Sequence, residues 1–183
     1  KPEDGVLWLH LERDHPAATD WINQRSGLDP LICEALLAEE SRPRVEPVND
    51  GLLIILRGVC GATPFGVVEE NHDLDLVPLH VWADANRLIT LRDSGHYITA
   101  LRDIRFALNK KAGPRNTGEL LAIVGDKLVR DLEPVLDAMD EEADELDDLI
   151  FQKSCGEVRE RLKSLRRRSV QLRRYLMPQR DAL

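Results

Sequence analysis

The sequence has 183 residues, which is enough for one substantial domain with its own hydrophobic core. Its longest uninterrupted apolar runs, such as residues 52–56, are far shorter than the about 20 residues that a bilayer-spanning helix needs, so no segment of this sequence is expected to cross a membrane. The three cysteines lack a C-x-x-C spacing, which argues against a disulfide framework and against a structural zinc site. A reducing cytosol is therefore expected.

The net charge of −8 is unevenly divided along the sequence. Residues 1–152 carry 30 acidic and 15 basic side chains, whereas residues 153–183 carry 3 acidic and 10 basic ones. Such a basic end can be an arm that binds nucleic acid, or a helix that packs against an acidic neighbour in the same chain. The second interpretation is favoured because the basic segment contains only one aromatic residue, Tyr175, and single-strand binding surfaces normally interleave aromatic side chains with basic ones.

The first third of the sequence predicts alternating strands and helices. An apolar strand is expected over residues 6–11, and a helix over 17–25 that Gly27 closes. A second helix is expected to begin at Asp29, whose side chain is suited to an N-cap, and to end by residue 41.

Two β-hairpins are predicted next. Strand-like segments at 44–46 and 52–56 flank Asn-Asp-Gly at 49–51, and Asp-Gly between strands is a strong turn signal. Strand-like segments at 79–82 and 88–91 flank a similar polar turn. Part of the sheet is therefore expected to be antiparallel.

The remaining sequence predicts helices. One is expected over residues 96–111. Small or apolar residues then recur at steps of three and four over 121–150, which predicts a single long helix with Thr117 as its N-cap and Pro134 as an interior kink.

A second helix completes a predicted hairpin. Apolar residues recur at the same spacing over 158–176, and residues 154–157 have the form of a capping box between the two helices. Two such seams joined by a short turn predict an antiparallel helical hairpin. We therefore expect a sandwich-like part over residues 1–115 and a helical hairpin over residues 116–183 within one domain.

An unbroken run of acidic side chains is the most unusual feature of the first long helix. Four of them are spaced by four, three and four residues and therefore share one helix face: Asp137, Glu141, Asp144 and Asp148. Two interpretations remain open. The acids can be a solvated face neutralised by basic residues of the second helix (Arg159, Arg161, Lys163, Arg166 and Arg167), or they can hold hydrated divalent cations, since oxygen ligands that leave water on the ion suit magnesium.

The sequence gives little support for catalysis, for a bound cofactor or for a second metal site. No nucleophile elbow, P-loop, dinucleotide fingerprint or H-E-x-x-H motif is present, so we expect no enzymatic activity and no tightly bound cofactor. A loop site built from His72, Asp73 and Asp75 is the one alternative that the histidines offer.

Three segments resemble the cytoplasmic domain of CorA-type metal-ion transporters. They are Trp-Leu-His-Leu-Glu at 8–12, followed by His-Pro and a tryptophan, Glu-Ser-Arg-Pro-Arg-Val at 40–45, and Pro-Gln-Arg-Asp at 178–181. The first and last are most like the zinc-transporting branch of that family, called ZntB. The resemblance covers nearly the whole chain.

The resemblance implies both a fold and an assembly. The fold class would be α/β (α+β), a mixed, partly antiparallel sheet sandwiched by helices, followed by a long antiparallel helical hairpin. The implied function is a cytoplasmic regulatory and entry domain at the inner (plasma) membrane, which gathers or senses zinc or magnesium. Relatives form pentamers, so we expect a stalk and two membrane segments after Leu183, and this fragment alone to be a monomer or a small oligomer. Magnesium-gated relatives carry an acid where this chain has Ala35, next to Glu34.

A different function remains open on the sequence alone. The heptad seams could bind a helix of a partner protein, which would make the chain a soluble helical-hairpin interaction module. Burial of the seam residues against each other would weaken that alternative.

Overall fold

The computed structural model describes residues 6–39, 42–61, 76–108, 113–150 and 155–183. Within these residues it has a mixed α+β fold with one six-stranded sheet, which confirms the predicted fold class. No helix in these ranges has the length and apolarity that crossing a bilayer requires.

The strands form a mixed sheet in the order β1-β5-β4-β3-β2, with β6 pairing with β3 beside this path. The β1–β5 pair is parallel and the other pairs are antiparallel. The strands are β1 (Leu7–Glu12), β2 (Arg44–Val48), β3 (Gly51–Gly61), β4 (Leu76–Ala83), β5 (Arg87–Arg92) and β6 (Tyr97–Ile98).

Helices cover both faces of the sheet and continue beyond it. They are α1 (Pro16–Gln24), α2 (Pro30–Leu37), α3 (Thr99–Leu108), α4 (Thr117–Arg130), α5 (Glu133–Ile150) and α6 (Cys155–Ala182). On one face, α1 and α2 pack against a cluster that includes Ile22, Leu36 and Ile89. On the other face, α3 and α4 pack against a cluster that includes Leu79 and Val124.

Both predicted hairpins are confirmed. Strands β2 and β3 pair in the register Val48↔Gly51, and Asn49 adopts a φ of 51°, a left-handed conformation that asparagine tolerates well. Strands β4 and β5 pair in the register Ala83↔Leu88. The N-cap at Asp29 is also confirmed, because its carboxylate accepts a hydrogen bond of 2.9 Å from the backbone N–H of Leu31.

The prediction of one long helix over 121–150 is wrong. The chain turns at residues 131–132, so α4 ends at Arg130 and α5 begins at Glu133. Pro134 is the reason, since its ring would clash with the carbonyl group of Arg130 in a continuous helix. In the first turn of α5 the missing N–H costs nothing, because amides there have no partner within the helix.

Two other helix boundaries differ from prediction. Asn116, not Thr117, is the N-cap of α4, and its side-chain oxygen accepts a hydrogen bond of 2.8 Å from the N–H of Glu119. Helix α3 begins at Thr99 instead of at residue 96, because residues 97–98 pair with β3, and the rest of the prediction, residues 109–111, lies outside the described part of the chain. The predicted capping box at 154–157 lies outside the part of the chain whose side chains are described.

Helices α5 and α6 pack together, as the predicted hairpin requires, but their apolar core contains fewer of the seam residues than predicted. Leu132, Met139 and Leu172 are buried in one cluster that also contains Leu76 of β4. Two predicted seam residues are instead exposed, Leu136 at 41% and Leu162 at 49%. The division into parts 1–115 and 116–183 remains a prediction, and α4 contributes its apolar side chains to the core of the sheet.

Candidate functional site

The acidic stripe, defined as Asp137, Glu141, Asp144 and Asp148, lies on α5 with all four side chains exposed. Met139 and Leu146 are buried on the same helix, and the helical repeat places them opposite the stripe. The stripe therefore faces away from the core of the hairpin. It extends about 16 Å along the helix axis, with neighbouring Cβ atoms about 6 Å apart.

Neutralisation of these acids by α6 is much less extensive than predicted. Across the hairpin, Arg161 pairs with Glu145 at 2.8 Å and lies 3.9 Å from Glu142, and Arg168 also pairs with Glu142. Lys163 pairs with Glu160 on its own helix instead of with α5. Within the described residues, none of the four stripe carboxylates forms an ion pair.

Three of the five predicted basic partners face away from the acidic stripe. Arg159, Arg166 and Arg167 are exposed and form no ion pair with a described residue. The buried residue Leu172 fixes which side of α6 faces the core, and the helical repeat places these arginines on the opposite side. The expectation that these three arginines lie beside the acids is therefore wrong, because they are on the outer side of α6, whereas Arg161 and Arg168 are the α6 side chains that reach α5.

The exposed stripe opposes formation of the helix that carries it. Like charges four residues apart cost about 0.2–0.5 kcal/mol for each pair, so the four such pairs between residues 137 and 148 together cost about 1–2 kcal/mol. Solvent exposure keeps this penalty small enough for the helix to form. The carboxylates are thus available to cations from solution.

The structure contains no preformed metal centre in its described part. No three side chains of the His, Cys, Asp or Glu type converge there into a group that could hold a metal ion. The loop site predicted at His72, Asp73 and Asp75 lies outside the described residues. Any cations at the stripe would therefore be held by a row of carboxylates and their own hydration shells.

Two of the remaining histidines are neutral structural groups. Burial in β4 lowers the pKa of His80 to about 4, the positive charge of Arg13 adds to the effect, and the His80 side chain bonds to the backbone of Ala35. Burial and the neighbouring Arg92 also lower the pKa of His10 to about 4, although the residue is exposed. The Nε2 atom of His10 accepts a hydrogen bond of 3.3 Å from Arg92.

A contact that the sequence patterns did not predict joins α6 to the sheet. The side chain of Gln179 is 2% exposed, its Oε1 atom accepts a 2.6 Å hydrogen bond from the N–H of Arg57, and its Nε2 atom donates to the carbonyl oxygen of Arg57 at 3.1 Å. The Arg57 guanidinium stacks 4.3 Å from the ring centre of Tyr175. Gln179 belongs to the Pro-Gln-Arg-Asp segment that carried the family resemblance, but that resemblance did not indicate its partner in β3.

Ala35, the position where the family resemblance led us to look for an acid, lies on α2. Ala35 is half-buried and packs at the edge of the cluster under α1 and α2, whereas Glu34 is exposed. The helix therefore offers an acidic side chain to solvent one position away from the expected one.

Comparison with protein families matches residues 3–183 to the model described as "CorA-like Mg2+ transporter protein". The chain belongs to this family. Among relatives, it is 34% identical to the divalent cation transporter CmaX of Pseudomonas aeruginosa over 98% of this chain and 52% of that protein. It is 31% identical to the zinc transport protein ZntB of Cronobacter sakazakii over the same shares of the two chains.

Solved structures of CorA-like proteins share the fold. The structure of full-length CmaX matches with a TM-score of 0.85 and 32% identity, covering 98% of this chain and 53% of that one. The crystal structure of the ZntB cytoplasmic domain from Vibrio parahaemolyticus matches with a TM-score of 0.78 and 26% identity, covering 96% of this chain and 66% of that one. The chain thus spans about half the length of the transporters CmaX and ZntB.

Proposed function

We propose that this chain is the cytoplasmic, cation-gathering domain of a CorA-like divalent-cation transporter in the inner (plasma) membrane. The match of residues 3–183 to the family carries the proposal, and the names of the relatives support divalent cations as the transported ions. The role of the domain is regulatory and non-enzymatic. Its transported and regulatory ion is zinc or magnesium.

The acidic stripe supplies the physical mechanism. Exposed carboxylates of one sign, spaced about 6 Å apart along a helix, create a negative potential that raises the local concentration of cations. No histidine or cysteine joins them among the described residues, so each ion keeps much of its hydration shell and binding is weak and shared. Weak binding suits a domain that delivers ions, because a tightly held ion would not be released toward the pore.

The proposed assembly involves more than this chain. Relatives are about twice its length, and a homopentamer held by a stalk and membrane helices would place several stripes around one entrance. Nucleic acid is not a proposed partner. The domain transmits the presence of gathered ions to the pore through its helices, and the buried contact between Gln179 and Arg57 supports this step because it ties α6 to the sheet.

Transport by the full-length protein tests this function. The protein that contains this chain would be reconstituted into liposomes, and zinc and magnesium fluxes would be measured at low and high external cation. Flux of either ion supports the transporter assignment. Neutralising Asp137, Glu141, Asp144 and Asp148 to their amides should lower the flux most at low cation concentration. Absence of divalent-cation flux in correctly folded protein would contradict the proposal.

An apolar groove favours the alternative of a helix-binding module. A cavity of about 610 Å³ lies where α5 begins and α6 ends, and its apolar lining includes Leu132, Leu136 and Leu176. Leu136 is exposed, as this alternative requires, whereas Met139 and Leu146 are buried in the hairpin. A Leu136→Lys variant that retained normal flux but lost a helical binding partner would favour the module.

A further inference from the structure

The basic face of α6, defined as Arg159, Arg166, Arg167 and Arg173, has no ionic partner in the described part of the chain. Arg159, Arg166 and Arg173 recur every seven residues and therefore form one row along α6, Arg167 lies beside that row, and all four residues are exposed. The residues span about 21 Å of the helix axis. An opposite charge lying against this row would offset the mutual repulsion of its guanidinium groups.

We propose that the basic face of α6 docks on the acidic stripe of α5 in a second copy of this chain. The stripe is the matching surface, because it is also a row along one helix, is about 16 Å long, and likewise has no ionic partner among the described residues. The cross-hairpin ion pairs use Glu142 and Glu145, which leaves the stripe free for a neighbour.

Charge balance favours a second copy over an anionic membrane or nucleic acid. The whole chain carries a net charge of −8, and the same hairpin that presents the arginines also presents the acidic stripe. A phosphate surface would attract one side of the hairpin and be repelled by the other. A copy of the chain satisfies both surfaces, since each copy offers one basic face and one acidic stripe.

This contact is a heterologous interface, in which different surfaces of two identical subunits meet. Such interfaces close into rings when the rotation between neighbours allows it. The interface does not require that the protein transport cations, so it goes beyond the proposed function. Because the same carboxylates serve both roles, divalent cations and the arginines of a neighbour compete for the stripe.

Charge exchange between two variants tests the interface. Sedimentation velocity of the chain in chelator at about 10 mM salt should show concentration-dependent association that disappears at about 1 M salt, where screening is complete within a few ångströms. The R159E/R166E/R173E variant should weaken association about tenfold or more, and so should D137K/E141K/D144K. An equimolar mixture of the two should associate again, because each variant then meets its opposite charge.

A matched control separates this contact from net charge. The R25E/R105E/R115E variant makes the same change in charge at exposed arginines outside α6 and should associate like the wild type. Circular dichroism checks that every variant is folded. If R159E/R166E/R173E is not, R159Q/R166Q/R173Q replaces it, and if D137K/E141K/D144K is not, D137N/E141Q/D144N replaces it. A wild type that stays monomeric at low salt, or association that survives the α6 substitutions, would overturn the proposal. Binding to phosphatidylserine vesicles by a monomeric wild type would overturn it in favour of a membrane partner.

Discussion

The side-chain amide of Gln179 hydrogen-bonds to both backbone groups of Arg57, 122 residues earlier in the chain. Strand β2 pairs with β3 only as far as Ile55, so Arg57 lies where the neighbouring strand has ended. The amide of Gln179 therefore takes the place of a strand residue and satisfies backbone groups that would otherwise be buried without partners. Through this contact the end of α6 is fixed to the middle of the sheet.

Replacement of Gln179 by Leu should lower the free energy of unfolding by about 2–4 kcal/mol, because it leaves a buried N–H and a buried carbonyl group unsatisfied. Urea denaturation measures this value. Hydrogen exchange of the Arg57 amide should also accelerate, because that N–H loses its acceptor. The matched control is Gln171→Leu on the same helix, whose half-buried side chain makes no hydrogen bond with a described residue. Equal effects of the two substitutions would argue against the contact.

The hairpin should depend on its apolar seam more than on its charges. Leu146 is 1% exposed, and its replacement by Ala should cost about 2–5 kcal/mol, whereas Arg166→Ala on the exposed side of α6 should change stability by less than about 0.5 kcal/mol. Denaturant melts of the two variants give the comparison. The opposite order would contradict the packing described here.

Acid should destabilise the fold through His80. The pKa of His80 is about 4 in the folded chain and about 6.5 when the imidazole is free in water, so the unfolded state binds the proton first as pH falls. The stabilisation is complete above pH 6.5 and is lost progressively down to pH 4, by at most about 3 kcal/mol. The variant His80→Gln should show a shallower pH dependence of unfolding over this window. An unchanged pH dependence of unfolding would mean that titrating groups other than His80 account for it.

Removal of the stripe charges should stabilise α5. The variant D137N/E141Q/D144N/D148N abolishes the like-charge pairs and should raise the free energy of unfolding by about 1–2 kcal/mol at low salt, with a smaller gain at high salt. Thermal or urea melts at two salt concentrations measure the difference. A loss of stability would indicate that the carboxylates have favourable partners.

Local patterns predicted most of the sheet and its first helices. The apolar run at 52–56 next to Asn49-Asp50-Gly51 indicated a hairpin because that turn accepts a left-handed residue, and Asn49 adopts one. The Asp29 N-cap followed from its position before an apolar helix face. Such features depend on neighbours in sequence, which explains why they could be predicted.

The remaining features depend on how distant segments meet. The stripe was predicted to share one helix face and does, but helical periodicity alone did not reveal that the arginines of α6 point away from it. The break before Pro134 could have been predicted by giving more weight to proline over the apolar repeat. The Gln179 contact could not, because no local pattern indicates which buried backbone group a distant amide will satisfy.

Calorimetric titration of the chain with zinc and with magnesium tests the central claim most directly. The wild type should bind either ion weakly and at more than one position, with binding that weakens as salt increases. The variant D137N/E141Q/D144N/D148N should lose this binding. The control D20N/E39Q/D50N/D126N, which removes the same charge at exposed acids outside α5, should retain it. Equal binding by the wild type and the stripe variant would contradict the proposal that this stripe gathers the cations.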